Sequence, residues 1–246
     1  MKIVASYSIK GGVGKTAASV NLAYAAAKAG NETLLVDLDP QGASSFYFRI
    51  GARKKENTGN FFSKKHRLLK HIKGSNYKQL DILPANLSFR NFDIMLNNMS
   101  KSKKRLKEML SSLKNEYDLI ILDCPPNLNL LSENVFNAAD LVLVPVIPTT
   151  LSERTFEQLL TFFDRNDYKK KKIRPFFSMA QGKNKLHHQT IKDMEKKYPV
   201  FLKSVIAFSA DIERMGIHRE PVLAYASQKN HVQSYRTLFN EIVNIL

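Results

Sequence analysis

The amino-acid sequence predicts an α/β protein: one mostly parallel, twisted β-sheet with helices on both faces, spanning residues 1–246 as a single domain. Three observations predict it. Continuous apolar runs such as Thr33–Asp37 (TLLVD), Asp118–Asp123 (DLIILD) and Leu141–Val146 (LVLVPV) suit strands buried on both faces. Helical stretches alternate with these runs, the order expected when helices form the crossovers of a parallel sheet. A chain that is 43% hydrophobic can fill one large core, and no repeat, low-complexity segment or linker divides it.

Taken in order, Lys2–Ser8 (KIVASYS) reads as the first strand and runs straight into glycines. Thr16–Ala29 is alanine-rich and closes at Gly30, a helix with a glycine stop. TLLVD is the second strand. Gln41–Ser75 is polar and basic and takes no assignment. Gln79–Leu83 reads as a strand, and Lys101–Asn115 as an exposed, basic helix. Leu130–Ala139 supplies a helix between the DLIILD and LVLVPV strands. Ser152–Phe163 is a further helix with Ser152 as its N-cap. Ile173–Ser178 and Lys203–Ala207 are the last strands, with a helix over His187–Lys197 between them. Val232–Leu246 is amphipathic: Tyr235, Leu238, Phe239, Ile242, Val243, Ile245 and Leu246 form its apolar face, and Arg236 is the basic residue near it. With one basic residue, that face suits packing on a sheet better than insertion into lipid.

Charge and cysteine content narrow the class. Thirty-eight Lys+Arg against 22 Asp+Glu leave a net charge of +16, a field that attracts polyanions such as nucleic acid or anionic lipid. The cations cluster at Lys64-Lys65-His66-Arg67, from Lys101 to Lys107, and from Lys169 to Lys172 with Arg174. Cys124 is the sole cysteine, which excludes a disulfide framework and a thiolate metal site. No stretch approaches a membrane span, and Met1–Ser8 lacks the shape of a signal peptide. The expected location is the cytoplasm.

Chemistry concentrates at Lys10-Gly11-Gly12-Val13-Gly14-Lys15-Thr16, between a buried strand and a helix, the setting of a phosphate-binding loop. Glycines let the backbone wrap closely enough to present N–H groups to phosphate oxygens, and the helix beginning near Lys15 adds its positive end. Lys15 supplies a mobile charge for β- and γ-phosphates, and the Thr16 hydroxyl a ligand for Mg²⁺. The nucleotide-binding segment is therefore Lys10 through Thr16 with Ala17. Ile9 occupies the position where the general G-x-x-x-x-G-K-[ST] pattern has its first glycine, and a second lysine, Lys10, precedes the double glycine. Two more strands end in acids: Asp37 and Asp39, at i and i+2 on one side of an extended chain, and Asp123. The ends of parallel strands are where such sheets bind ligands.

The K-G-G-x-G-K-[ST] box resembles that of the ParA/MinD family of deviant Walker A ATPases. Val36-Asp37-Leu38-Asp39-Pro40-Gln41-Gly42 resembles the family's V-D-x-D-P-Q-G box, and Ile121-Leu122-Asp123-Cys124-Pro125-Pro126 its Walker B strand. The resemblance is strong from Met1 to about Leu160 and weaker beyond. It implies MgATP as cofactor and a slow ATPase. Lys10 would reach the partner subunit's phosphates in an ATP-dependent homodimer. Lys15 would act within its own subunit, Asp39 would orient the attacking water, and Thr16, Asp37 and Asp123 would serve the metal. The family's adenine slot falls on Phe177, Met179 and Phe208.

Three functions remain open at this point. A ParA-type ATPase binds DNA without sequence preference as its ATP dimer, associates with the nucleoid, and positions a plasmid, chromosome or protein organelle. A cargo adaptor or ParB-like partner stimulates its hydrolysis. The segment Pro145–Thr155 (PVIPTTLSERT) resembles such chains, including those that distribute carboxysomes. Phe208 and Asp211 stand where many partition ATPases carry DNA-touching arginines, which leaves Lys203, Arg214, Arg219 and Lys229 as the nearest candidates. A MinD-like membrane ATPase is the second reading. A metabolic P-loop enzyme is the third, although a reductase of that kind needs more cysteines than Cys124.

Overall fold

Alternate residues of each central strand enter different cores. The computed structural model describes residues 1–51, 65–85 and 102–246. Its strands are β1 (Lys2–Ser6), β2 (Thr33–Asp37), β3 (Lys73–Gly74), β4 (Leu80–Leu83), β5 (Leu119–Asp123), β6 (Leu141–Val146), β7 (Ile173–Ala180) and β8 (Val205–Ala207). Ile3 and Ala5 of β1, Leu34 and Val36 of β2, Ile120 and Leu122 of β5, and Val142 and Val144 of β6 share one core. Val4, Leu35, Ile121 and Leu143, from the same four strands, share the other. Period-2 alternation between two apolar surroundings explains why these strands read as unbroken apolar runs.

The sheet has eight strands in the order β3-β4-β2-β5-β1-β6-β7-β8, and the β3–β4 pair is its antiparallel edge. Helix α1 (Lys15–Lys28) and the final helix α11 (Asn230–Ile245) cover one face. Helices α4 (Arg105–Ser111), α5 (Leu130–Ala138), α6 (Thr150–Arg165) and α7 (Lys185–Lys197) contribute to the core on the other. Among the described residues there are five further short helices: α2 (Ala43–Tyr47), α3 (Lys65–His71), α8 (Ala210–Glu213), α9 (Met215–His218) and α10 (Val222–Tyr225). This is the α/β architecture the sequence predicts.

Several local expectations are corrected. The helix expected from Ser152 begins at Thr150, because Thr149 is the cap: its side chain accepts from the Ser152 N–H at 3.3 Å. The helix expected over His187–Lys197 begins at Lys185, capped by Asn184. The exposed basic helix of Lys101–Asn115 is instead a short 3₁₀ turn, Ser102–Lys104, followed by α4, whose Leu106, Met109 and Leu110 are buried. Lys101 and Lys64 lie outside the described residues. On α11, Tyr235, Leu238, Phe239 and Ile242 are buried while Val243 and Ile245 are exposed. Each buried side chain of this size contributes roughly 1.5–3 kcal/mol, so most of the apolar face is committed to packing against α1 and β8. Among the described residues, no helix is long and apolar enough to cross a membrane.

Candidate nucleotide site

Strands β2, β5 and β1 lie side by side and place their C-terminal ends around the loop Tyr7–Gly14, which leads from β1 into α1. The loop turns through Gly12 (φ 68°) and Gly14 (φ 91°), backbone states that L side chains rarely adopt. At Gly14 space is also closed: a Cβ there would sit 2.8 Å from the Ser178 Oγ on β7. Val13 is buried, which anchors the loop between its glycines.

The two lysines of the loop are held differently. Lys15 is 7% exposed and its Nζ donates to the Lys10 carbonyl at 3.1 Å, so the ammonium is folded over the loop. Burial lowers its pKa, while Asp123, Cys124 and Asp39 favour the charged form. The Lys10 Nζ points elsewhere and donates to the Ser152 Oγ on α6 at 3.3 Å.

Asp37 and Asp123 end neighbouring strands and are fully buried. Hydroxyls hold both. Asp123 accepts from the Ser19 Oγ at 3.1 Å, from the Ser44 Oγ at 2.5 Å, and from the Thr16 side chain. Asp37 accepts from the Ser45 N–H at 2.9 Å and the Ser45 Oγ at 2.6 Å. Burial and the Asp123 charge push the Asp37 carboxyl up to about 7; burial also raises Asp123. Asp39 is half-buried and accepts from the Gln41 N–H at 2.9 Å. Ser19, Ser44 and Ser45 are functional-site residues that the sequence motifs do not mark. The two serines of α2, which directly follow the D-P-Q-G turn, are their one visible signal.

Residues expected beyond the phosphate loop separate. Phe177 is not a base-pocket residue: it is fully buried and its ring stacks on Phe201 with centroids 4.4 Å apart. Met179 (φ 55°) sits at an irregularity in β7, and Phe208 is 48% exposed where its N–H donates to the Ala180 carbonyl. Both lie at the C-terminal ends of the neighbouring strands β7 and β8. The four basic candidates do not form one patch. Arg214 and Lys229 both pair with Asp211, at 3.5 and 2.7 Å, and His231 joins them at 3.0 Å. Arg219 lies over the Phe46 ring, 4.5 Å from its centroid. Lys203 precedes β8, at the end of the sheet opposite the other three.

A glycine loop between a buried strand and a helix, with a lysine folded over it and carboxylates at the adjoining strand ends, defines a P-loop nucleoside-triphosphatase. Residues 1–175 match an AAA domain family. The sporulation initiation inhibitor protein Soj of Bacillus subtilis (strain 168) is 30% identical over 98% of both chains. The chain therefore belongs to the ParA/MinD family of deviant Walker A ATPases, enzymes that use ATP and Mg²⁺. Two solved structures share the fold. A Borrelia burgdorferi B31 protein described as a plasmid partition protein, bound to AMPPNP, has a TM-score of 0.81 at 23% identity and covers 100% of this chain and 99% of its own. Cobyrinic acid a,c-diamide synthase from Mycobacterium smegmatis, with ADP and magnesium, has a TM-score of 0.80 at 23% identity and covers 99% and 94%.

The donors present fit those cofactors. Two buried carboxylates on register-paired residues of neighbouring strands favour a nearby cation, and the Thr16 side chain bonds Asp123. Among the described residues no group of three or more His, Cys, Asp or Glu forms a metal cage. Two carboxylates with a hydroxyl beside one of them suit Mg²⁺, which takes one or two carboxylates together with phosphate and water oxygens.

Proposed function

We propose that this chain is an ATP-dependent, dimerising ATPase that binds DNA without sequence preference and positions or partitions a cargo. A cargo adaptor or ParB-like protein stimulates its hydrolysis. The observation that carries the reading is the division between the two lysines: Lys15 closes on its own loop, whereas Lys10 extends to α6 and is free to serve a second subunit.

In this reading the Gly11–Ala17 backbone and Lys15 bind the phosphates. Thr16, Asp37 and Asp123 hold Mg²⁺, which would neutralise phosphate charge. Asp39 lies outside the buried carboxylate pair and orients water, while Met179 and Phe208 border the adenine. Lys10 completes the partner subunit's site and ties dimerisation to ATP. The net charge of +16 supports DNA as the polyanion, and hence a cytoplasmic, nucleoid-associated protein. The commitment of α11 to the core speaks against lipid insertion through that helix. The cargo is a plasmid, a chromosome or a protein organelle.

Retention on DNA with ATP, ADP or no nucleotide, at two salt concentrations and beside anionic liposomes, tests this. DNA should retain the ATP form alone and lose it as salt rises, with a slope of roughly −0.9 per phosphate contact. Retention of the ATP form by liposomes and not by DNA contradicts the reading.

A further inference from the structure

The last turn of α1 does not pack flush against α10 and α11. The three helices leave a hollow of about 520 Å³ lined by Lys28, Arg236, Asn240, Ser227, Tyr24 and Phe239, among others. No carboxylate is among its lining residues. A second hollow of about 280 Å³ adjoins it, sharing Tyr24 and Ala224, and holds Arg49 and Arg219. Glu220 is the one carboxylate lining it, 3.5 Å from Arg49. Together these two adjoining hollows, the trough, are lined by four cations and one acid.

Aromatic rings hold some of these cations in place. The Lys28 Nζ lies 5.6 Å from the centre of the Tyr24 ring, and the Arg219 guanidinium lies over Phe46. A concave surface with apolar walls concentrates the field of such charges. The trough is open rather than enclosed, so it does not wrap a small molecule as a ligand pocket does. Cations repeated along a groove, with amide and hydroxyl groups from Asn240 and Ser227 between, match a ligand whose negative charge also repeats.

We propose that this trough is where the chain contacts the phosphodiester backbone of duplex DNA. The proposal rests on the DNA reading above and replaces most of its candidate residues. Arg214 and Lys229 share the single carboxylate of Asp211 and line neither hollow, nor does Lys203, so of the four only Arg219 lines the trough. Helix α1 has Lys15 at one end and Lys28 at the other, about 20 Å apart at 1.5 Å per residue. Changes at the trough therefore leave the nucleotide loop intact.

The test measures anisotropy of a labelled, mixed-sequence duplex with a non-hydrolysable ATP analogue over a salt series. Lys28→Glu and Arg236→Glu should each weaken binding roughly tenfold and lower the salt slope by about one phosphate contact. Affinity for the ATP analogue should not change. Lys169→Glu with Lys171→Glu, beside α5 on the opposite face of the sheet, should leave DNA affinity within about twofold. Thermal melts check folding, and Lys28→Gln and Arg236→Gln carry the test if a reversal fails to fold. If the parent protein binds DNA and the trough variants bind as tightly, the trough assignment is overturned while the DNA reading stands. If the parent binds no DNA in any nucleotide state, both fall. Pyrophosphate bound at the trough without any duplex binding identifies a small-anion site and likewise overturns the proposal.

Discussion

Asp37 and Asp123 are register partners on adjacent parallel strands, and neither carboxylate is exposed to solvent. Two like charges side by side in a buried site oppose ionisation, and the serines around them offset only part of that cost. The arrangement is unfavourable for folding by itself and favourable for drawing in a cation.

A pH dependence follows. The folded Asp37 carboxyl is raised to about 7, above its value in the unfolded chain. Between the ordinary carboxylate range and about 7 the native state holds a proton that the unfolded state has lost, so stability falls as pH rises through that window. Asp37→Asn removes the Asp37 share of the effect and leaves that of Asp123, which burial raises on its own. The ligand-free variant should be more stable than the parent at pH 8, by roughly 1–3 kcal/mol, and should match it near pH 4. MgATP should then stabilise the parent more than the variant. Urea unfolding at the two pH values checks this, and parallel stability profiles would falsify the account of the pair.

Hydrolysis should separate from binding at Asp39. Its carboxylate is half-buried, accepts the Gln41 N–H and stands apart from the buried pair. Asp39→Ala should keep nucleotide affinity within a few-fold and lower turnover by roughly a hundredfold or more, the range for loss of a group that handles the attacking water. Phosphate release and nucleotide titration on the same sample decide it. Turnover at the parent rate removes Asp39 from the mechanism.

The central sheet and the phosphate loop were legible because each leaves a local mark. Strands buried on both faces must be apolar throughout, and a loop wrapping phosphate must carry glycines where φ is positive, as at Gly12 and Gly14. The serines that hold the carboxylates were not legible. Ser19 lies 104 residues from Asp123 in sequence and Ser44 lies 79 away, and only the fold brings them together. Phe177 was misread for a related reason: at the end of a strand, burial against Phe201 and burial against a base look alike in sequence. In α4 the lysines masked the spacing of Leu106, Met109 and Leu110. Thr149 and Ser152 are both good cap residues one turn apart, and the chain uses the first.

The last expectation concerns Lys10. In the single chain its ammonium is held by one hydrogen bond, 3.3 Å from the Ser152 Oγ, in the first turn of α6. The positive end of that helix makes the position a poor resting place for a cation. A second subunit's phosphates are a far better partner, since they carry charge opposite to the ammonium whereas the Ser152 hydroxyl is neutral. In the proposed reading Lys15, folded over its own loop, serves the phosphates of its own subunit, so Lys10 is not needed for a monomer to bind nucleotide. Lys10→Ala should therefore retain nucleotide binding, weakened by about tenfold at most, and lose the dimer that a non-hydrolysable ATP analogue induces. Light scattering with the analogue and with ADP reads both states. A Lys10→Ala chain that dimerises with the analogue as the parent does would show that Lys10 belongs to its own subunit's site, and the link between ATP and dimerisation would have to lie elsewhere.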